Sequence, residues 1–153
     1  MRRVFYAVLL IPVLAVTACQ SVAPPAETAV EVDAPRDGVF IHVSHGANHA
    51  HRVLMALSMA NKMADQDRDV LVYFDISGIE AVVNDAPDLT MEPFQSSLTQ
   101  LESLRSKGVT LMACPGCLKA AGKSEADLMD GVVVADAGAF FAFTEGRILS
   151  LDY

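Results

Sequence analysis

The sequence predicts an α/β domain in which a five-stranded, mainly parallel sheet is covered by helices on both faces. Five short, mostly apolar runs alternate with segments of helical periodicity, and this alternation is typical of parallel sheets. The runs are apolar almost throughout rather than at every second position, as expected for strands that are buried on both faces. A chain of 153 residues is long enough for a single small domain with one core.

The first half of the domain begins with a strand over residues 39–43, a run that is rich in β-branched side chains. Apolar residues at helical spacing predict a helix over about 48–64. A second apolar run predicts a strand over 69–74, and residues 76–83 are predicted to form a short helix. Residues 84–92 have two prolines nearby, which indicates a loop.

The second half continues the alternation of helices and strands. Four apolar residues at helical spacing predict the next helix: Phe94, Leu98, Leu101 and Leu104. This helix is predicted to end at Lys107 and Gly108, because a cation and a glycine are both favoured at helix C-termini. The remaining predicted elements are a strand over 109–113, a helix over 114–122, a strand over 132–135, a helix over 137–144 and a strand over 147–151.

Residues 1–18 are predicted to be a lipoprotein signal peptide. Arg2 and Arg3 form a basic start, and the apolar stretch over 4–16 is shorter than the roughly 20 residues that span a membrane. Small residues then precede Cys19, as in the lipobox of bacterial lipoproteins, so Cys19 is the predicted site of lipidation. The alternatives are an ordinary signal peptide with a cysteine there by chance, or an uncleaved anchor.

Residues 19–37 are predicted to be the lipidated cysteine and a flexible tether, because they contain three prolines and mostly small side chains. Gln20 stands where an aspartate would favour the inner membrane, so the expected location is the periplasmic face of the outer membrane. Cleavage after residue 18 leaves nine of the 11 basic residues and all 19 acidic residues, a formal charge of −10. Nucleic acid is therefore not an expected partner. The acyl chains, rather than charge, would hold the protein to a membrane.

The folded domain is predicted over residues 38–153, and its functional groups are expected at one edge of the sheet. Ligands of parallel sheets bind where the strands end at their carboxyl side, here called the carboxyl edge. His45 and His49 follow the first predicted strand, Asp75 follows the second and Cys114 follows the third. Asp75 is expected to support the site, although an acid at a strand end is also typical of a turn or a helix N-cap.

Two cysteines, Cys114 and Cys117, are the predicted catalytic pair. Cys114 lies where a strand ends and a helix begins, and the positive end of a helix favours a thiolate over a thiol. Cys117 is one turn further on the same face and could form a disulfide with Cys114. The alternatives are that Cys114 is a small hydrophobic residue of the core, or that the pair forms a static disulfide or binds a metal.

The histidines offer a second, weaker set of candidates. His45 and His49 are expected to support the site by activating the thiol or by binding a metal. Cysteine and histidine ligands together suit copper or zinc, but a second cysteine pair for a closed zinc site is missing from the sequence. We therefore predict no cofactor and no metal site, with copper or zinc as the alternative. His42 lies within a strand and is expected to be a hydrogen-bonded core residue.

Three segments of the sequence are similar to the DsrE/DsrF-like family, which includes sulfur-relay subunits. The first is the turn at 45–48 with the alanine- and leucine-rich helix at 56–60, and the second is the strand and acid-glycine turn at 72–79. The third and most specific is 108–114, with Gly122 eight residues after the cysteine.

The resemblance covers about residues 38–153 and implies both a fold and a chemistry. Cys114 matches the cysteine that carries a persulfide in the sulfur-relay members, whereas Cys117 has no counterpart in the simplest members. The family fold is a small parallel α/β sheet, usually assembled into trimers or hexamers, so a homo-oligomer is expected. The relay members are cytoplasmic, whereas this chain is predicted to be exported, which implies different donors and acceptors.

These observations together predict an extracytoplasmic sulfur carrier or thiol-redox protein, which would resemble a sulfurtransferase if it is active. Sulfane sulfur would be held as a persulfide on Cys114, with Cys117 as the resolving partner. The expected partners are sulfur donors or thiol-containing proteins and small molecules, together with the membrane that the lipid anchor enters. The alternative is a non-catalytic module that binds a metal or a protein.

Overall fold

The computed structural model describes residues 37–153 and shows five strands in one sheet. They are β1 (Gly38–Val43), β2 (Asp69–Phe74), β3 (Thr110–Ala113), β4 (Val132–Val134) and β5 (Ile148–Asp152). The strand order is β4-β3-β2-β1-β5, and every neighbouring pair is parallel. The predicted five-stranded parallel sheet is confirmed. The predicted signal peptide, Cys19 and the tether up to residue 36 lie outside the described residues.

The α-helices of the described residues are α1 (Ala50–Ala64), α2 (Ser97–Ser106), α3 (Pro115–Ala120) and α4 (Ala137–Ala142). The segment predicted as a short helix after β2 is a 3₁₀ helix at Ile76–Ala81. A 3₁₀ turn at Ala47–His49 begins the predicted first helix, and another at Phe143–Glu145 ends the predicted last one. Within residues 37–153, no helix combines the length and hydropathy that a membrane span needs.

Helices lie on both faces of the sheet, but they cover the two faces unequally. The chain moves in one direction across the sheet from β1 to β4, so right-handed crossovers place the intervening helices on one face. The connection from β4 returns to β5 at the opposite side of the sheet, which places α4 on the other face. There Phe140 of α4 packs against Phe40 and Tyr73, with ring centroids 5.7 and 5.1 Å apart.

Alternation along β1 shows the difference between the two faces. Val39, Ile41 and Val43 are buried against α1, in a core that α1 and α2 close over the sheet. Phe40 and His42 point to the α4 face and are only partly buried. The α4 face therefore keeps partly exposed aromatic and polar side chains close to the carboxyl edge.

The burial pattern of α1 predicts where substitutions in this helix destabilise the domain. Leu57 is fully buried, whereas Met55 on the same helix is 39% exposed. We expect Leu57→Ala to lower the free energy of unfolding by about 3 kcal/mol, because it leaves a cavity in the core. Met55→Ala is the matched control and should cost less than about 1 kcal/mol. Urea denaturation measures both, and equal losses would contradict the described packing of α1.

Candidate functional site

Cys114 lies between β3 and α3, with its sulfur at the start of the helix. It is the N-cap residue of α3, and its Sγ accepts a hydrogen bond from the backbone N–H of Cys117 at 3.4 Å. Pro115 occupies the first turn, where the N–H that proline lacks would have no partner within the helix. Cys114 is partly exposed, so the sulfur is placed both to accept hydrogen bonds and to meet a reactant.

The surroundings of Cys114 favour its thiolate. Burial opposes ionisation, but hydrogen bonding from the Tyr73 hydroxyl, the Cys117 thiol and the backbone N–H groups of Cys117 and Gly116 lowers the pKa of Cys114 below its ordinary value. Burial and the neighbouring sulfur raise the pKa of Tyr73 far above its ordinary range. Tyr73 therefore remains protonated near neutral pH and serves as a hydrogen-bond donor.

Cys117 differs from Cys114 in its tendency to ionise. Burial, the hydrogen bond to Cys114 and the nearby negative charges of Cys114 and Asp75 raise the pKa of Cys117, while the backbone N–H of Ile76 acts in the opposite direction. Both cysteines are free thiols in this structure. The first thiolate to form in the pair is therefore that of Cys114.

An Asp–His–Asp arrangement lies beside the cysteine pair. His42 Nε2 is 2.8 Å from Asp75 Oδ1, and His42 Nδ1 is 2.8 Å from Asp152 Oδ1. Burial alone would lower the pKa of His42, but the two carboxylates outweigh it and raise the pKa above its ordinary value. Within residues 37–153, Asp75 Oδ1 is buried and lacks a hydrogen-bond partner of good geometry, so its close approach to the imidazole is an ion-pair contact.

Strand register explains why these groups meet on the α4 face. His42 is opposite Tyr73 on β2 and opposite Asp152 on β5, and Tyr73 is opposite Met112 on β3. Parallel neighbours in register point to the same face, and so do residues two apart along an extended strand. Asp75 and Cys114 each follow a residue of this row by two positions, which brings them to the same side at the carboxyl edge.

The structure places His45 and His49 against each other. Their rings form an edge-to-face pair with centroids 4.8 Å apart, and Ser44 Oγ is 3.1 Å from His45 Nδ1. No hydrogen bond, ion pair or ring contact between residues 37 and 153 joins either histidine to Cys114. In the same part of the chain, no cluster of three histidine, cysteine or acidic side chains has the geometry of a metal site.

The predicted supporting residues His45 and His49 make no contact with the cysteine pair among residues 37–153, whereas Tyr73, which the sequence does not single out, hydrogen-bonds to Cys114. His42 is hydrogen-bonded as expected, but its side chain is 26% exposed and lies in the site rather than in the core. The signal available for Tyr73 is its position two residues before Asp75, which directly follows the same strand in an extended conformation, so that both side chains lie on one face.

Ile76 holds an unusual backbone conformation next to the cysteine pair. Its φ is +47°, in the left-handed region that β-branched residues rarely adopt, and its side chain is 66% exposed. The same residue directs its N–H toward the Cys117 sulfur. Backbone strain of this kind is concentrated at functional sites, where the surrounding structure holds it in place.

The fold and the site define a class of small parallel α/β domains with a cysteine at the carboxyl edge of the sheet. Within that class, the chain belongs to the DsrE/DsrF-like family, whose model matches residues 37–145, more than half of the chain. No curated protein matches the chain significantly.

Three solved structures share the fold. The ychN protein from E. coli is 17% identical with a TM-score of 0.61, and the match covers 75% of this chain and 99% of that one. A protein of unknown function from Methanobacterium thermoautotrophicum is 22% identical with a TM-score of 0.57, covering 76% and 99%. A conserved protein of unknown function from Bacteroides thetaiotaomicron is 16% identical with a TM-score of 0.51, covering 74% and 94%. At these identities the likeness concerns the fold alone.

The Tyr73 hydroxyl offers a direct test of the environment of Cys114. We expect Tyr73→Phe to raise the pKa of the Cys114 thiol by about one unit, because a hydrogen bond to a charged group is lost. The pH dependence of iodoacetamide alkylation, read by peptide mass spectrometry in a Cys117→Ser background, measures this pKa. Tyr153→Phe is the matched control and should leave it unchanged. An unaltered pKa in Tyr73→Phe would show that the hydroxyl does not stabilise the thiolate.

Proposed function

We propose that this protein is a sulfur carrier or thiol-redox protein that holds sulfane sulfur as a persulfide on Cys114. The observation that carries the proposal is the Cys114 thiol itself. It lies partly exposed at the carboxyl edge, hydrogen bonding lowers its pKa, and a second thiol lies one helical turn away. Membership of the DsrE/DsrF-like family supports the same chemistry, because the relay members carry sulfur on a cysteine at this place.

Loading begins with the Cys114 thiolate. Its Sγ attacks the sulfane sulfur of a donor such as thiosulfate or a polysulfide, and a new S–S bond forms as the S–S bond of the donor breaks. The donor leaves with the bonding electron pair, as sulfite or as a shorter polysulfide. The Cys114 thiolate and the donor, taken together, neither gain nor lose electrons, so this step needs no cofactor.

Two routes can release the sulfur. In the first, the thiolate of an acceptor attacks the outer sulfur of the persulfide and takes it, and Cys114 leaves as a thiolate. In the second, the Cys117 thiolate attacks the inner sulfur, a Cys114–Cys117 disulfide forms, and hydrosulfide leaves with the electron pair. The first route transfers sulfur to a partner, whereas the second couples sulfur release to the redox state of the pair.

The proposal includes a location and an assembly. Lipidation at Cys19 would hold the domain on the periplasmic face of the outer membrane, where donors and acceptors differ from those of cytoplasmic relays. We further propose a homo-oligomer, a trimer or a hexamer. Supporting this, Val133 and Phe141 expose apolar surface on or beside the α4 face, at 47% and 64% exposure.

Intact mass spectrometry tests the sulfur chemistry. After incubation with polysulfide or thiosulfate, we expect the full chain to gain about 32 Da, the mass of one sulfur atom, with complete loss of the gain in Cys114→Ser. Cys117→Ser is the matched control and should keep the adduct, because it removes only the second release route. Absence of an adduct in every redox state, with stoichiometric copper or zinc on the isolated protein, would instead support a metal-binding module.

Lipidation has a test of its own. We expect the protein expressed in a bacterial host to incorporate labelled palmitate and to sediment with membranes, and Cys19→Ser to abolish both, because Cys19 is the acceptor of the lipid. Cys114→Ser is the control and should be labelled like the wild type. Label on the Cys19→Ser variant, or an unlabelled wild-type chain, would contradict the proposed anchor.

A further inference from the structure

His42 is held by charged groups on two sides. Asp75 approaches its Nε2 from the end of β2, and Asp152 approaches its Nδ1 from β5, each at 2.8 Å. The rings of Phe40 and Tyr73 pack around the same imidazole at centroid distances of 6.3 and 6.2 Å. The two carboxylates are thus the negative groups that face it, and Tyr73 remains neutral.

Asp75 brings an unfavourable charge to the cysteine pair. Its Oδ1 is buried, and its negative charge is one of the groups that disfavour a thiolate at Cys117. An uncompensated carboxylate here would oppose any step in which the Cys117 sulfur becomes negative. Among residues 37–153 this buried oxygen has no hydrogen-bond partner of good geometry, and the imidazole of His42 lies 2.8 Å from it as an ion-pair contact.

We propose that His42 is a positioning residue of the cysteine site: held between Asp75 and Asp152, its imidazolium neutralises the Asp75 carboxylate and so permits negative charge on the Cys117 sulfur. This inference deepens the proposed function and rests on it for its role in sulfur release. It assigns to His42 an electrostatic effect on Cys117 without direct contact between the two side chains.

The step that depends on this effect is the second release route. The Cys117 thiol loses its proton to solvent, the resulting thiolate attacks Cys114 Sγ of the persulfide, and hydrosulfide leaves as the Cys114–Cys117 disulfide forms. Below the raised pKa of His42 the imidazole already carries its own proton, so it does not accept that one. Loading of Cys114 does not need an ionised Cys117, so His42 affects release more than loading.

The proposed effect has a defined pH dependence. The two carboxylates raise the pKa of His42, so the imidazolium is present below that raised pKa and is lost as the pH rises through it. At low pH Asp75 is therefore neutralised by wild-type His42, and at high pH it is not. Replacing His42 by a neutral side chain should therefore disfavour the Cys117 thiolate at pH values below this transition and leave it unchanged above the transition.

Alkylation of Cys117 in a Cys114→Ser background tests the inference without any sulfur donor. The full chain is treated with iodoacetamide between about pH 5 and pH 9, and peptide mass spectrometry separates Cys117 from Cys19. We expect His42→Gln to slow the reaction about tenfold near pH 6, which corresponds to one pKa unit, and to match its parent near pH 9.

Two further variants distinguish charge compensation from a structural effect. Above the transition, where His42 is neutral, Asp75→Asn should speed the alkylation of Cys117. In the Asp75→Asn background His42→Gln should have no additional effect at any pH, because there is no carboxylate left to neutralise. Asp152→Asn keeps His42 but removes one of its two carboxylates, so the pKa of His42 should fall. The alkylation rate of Cys117 in Asp152→Asn should therefore become equal to the rate in His42→Gln at a lower pH than it does with Asp152 present.

A slow-down by His42→Gln that is equal at all pH values, or that persists with Asp75→Asn, would overturn the inference, as would an unchanged rate. Because alkylation needs no donor, these outcomes are independent of sulfur loading. A wild-type chain that never gains about 32 Da would overturn the proposed function and leave the electrostatic effect of His42 standing.

Discussion

The parallel register of β1, β2 and β3 is the constraint on which the site depends. It places His42 opposite Tyr73 and Tyr73 opposite Met112. Asp75 and Cys114, two positions after Tyr73 and Met112, therefore lie on the same side of the sheet as His42. A shift of register by one residue would turn these side chains to the other face. The buried alternation of Val39, Ile41 and Val43 makes such a shift costly, because the same shift would expose the core.

The environment of the cysteine pair balances groups that oppose and favour negative charge. Burial and Asp75 oppose a thiolate, whereas hydrogen bonds from Tyr73 and from backbone N–H groups favour it at Cys114. The balance differs over a single helical turn, because the start of α3 donates its N–H groups to Cys114. Two chemically identical side chains are thereby made unequal, as a carrier and a resolving residue require.

Much of the fold followed from the sequence, since continuous apolar strands and helical spacing are local patterns. The apolar run at 69–74 predicts the second strand to its ends, and the carboxyl-edge argument correctly brings Asp75 close to the cysteine pair, where its charge acts on Cys117. What the sequence did not show was the choice of histidine. Among residues 37–153, short α4 covers only part of the face that carries His42, so this side chain is partly accessible, and the coverage of a face depends on tertiary packing rather than on a local pattern. Tyr73 differs in this respect, because its spacing of two residues from Asp75 is a local pattern.

The two faces of the sheet carry residues with different roles, because α1 and α2 cover one face closely and α4 covers the other only in part. Residues that hold the domain together point toward α1 and α2, while Tyr73, His42 and Cys114 point toward the other side. Substitutions around the cysteine pair can therefore alter reactivity while the core stays intact. One scaffold could in this way acquire new donors and acceptors by changes at a single edge, and reshaping its specificity would not require rebuilding its interior.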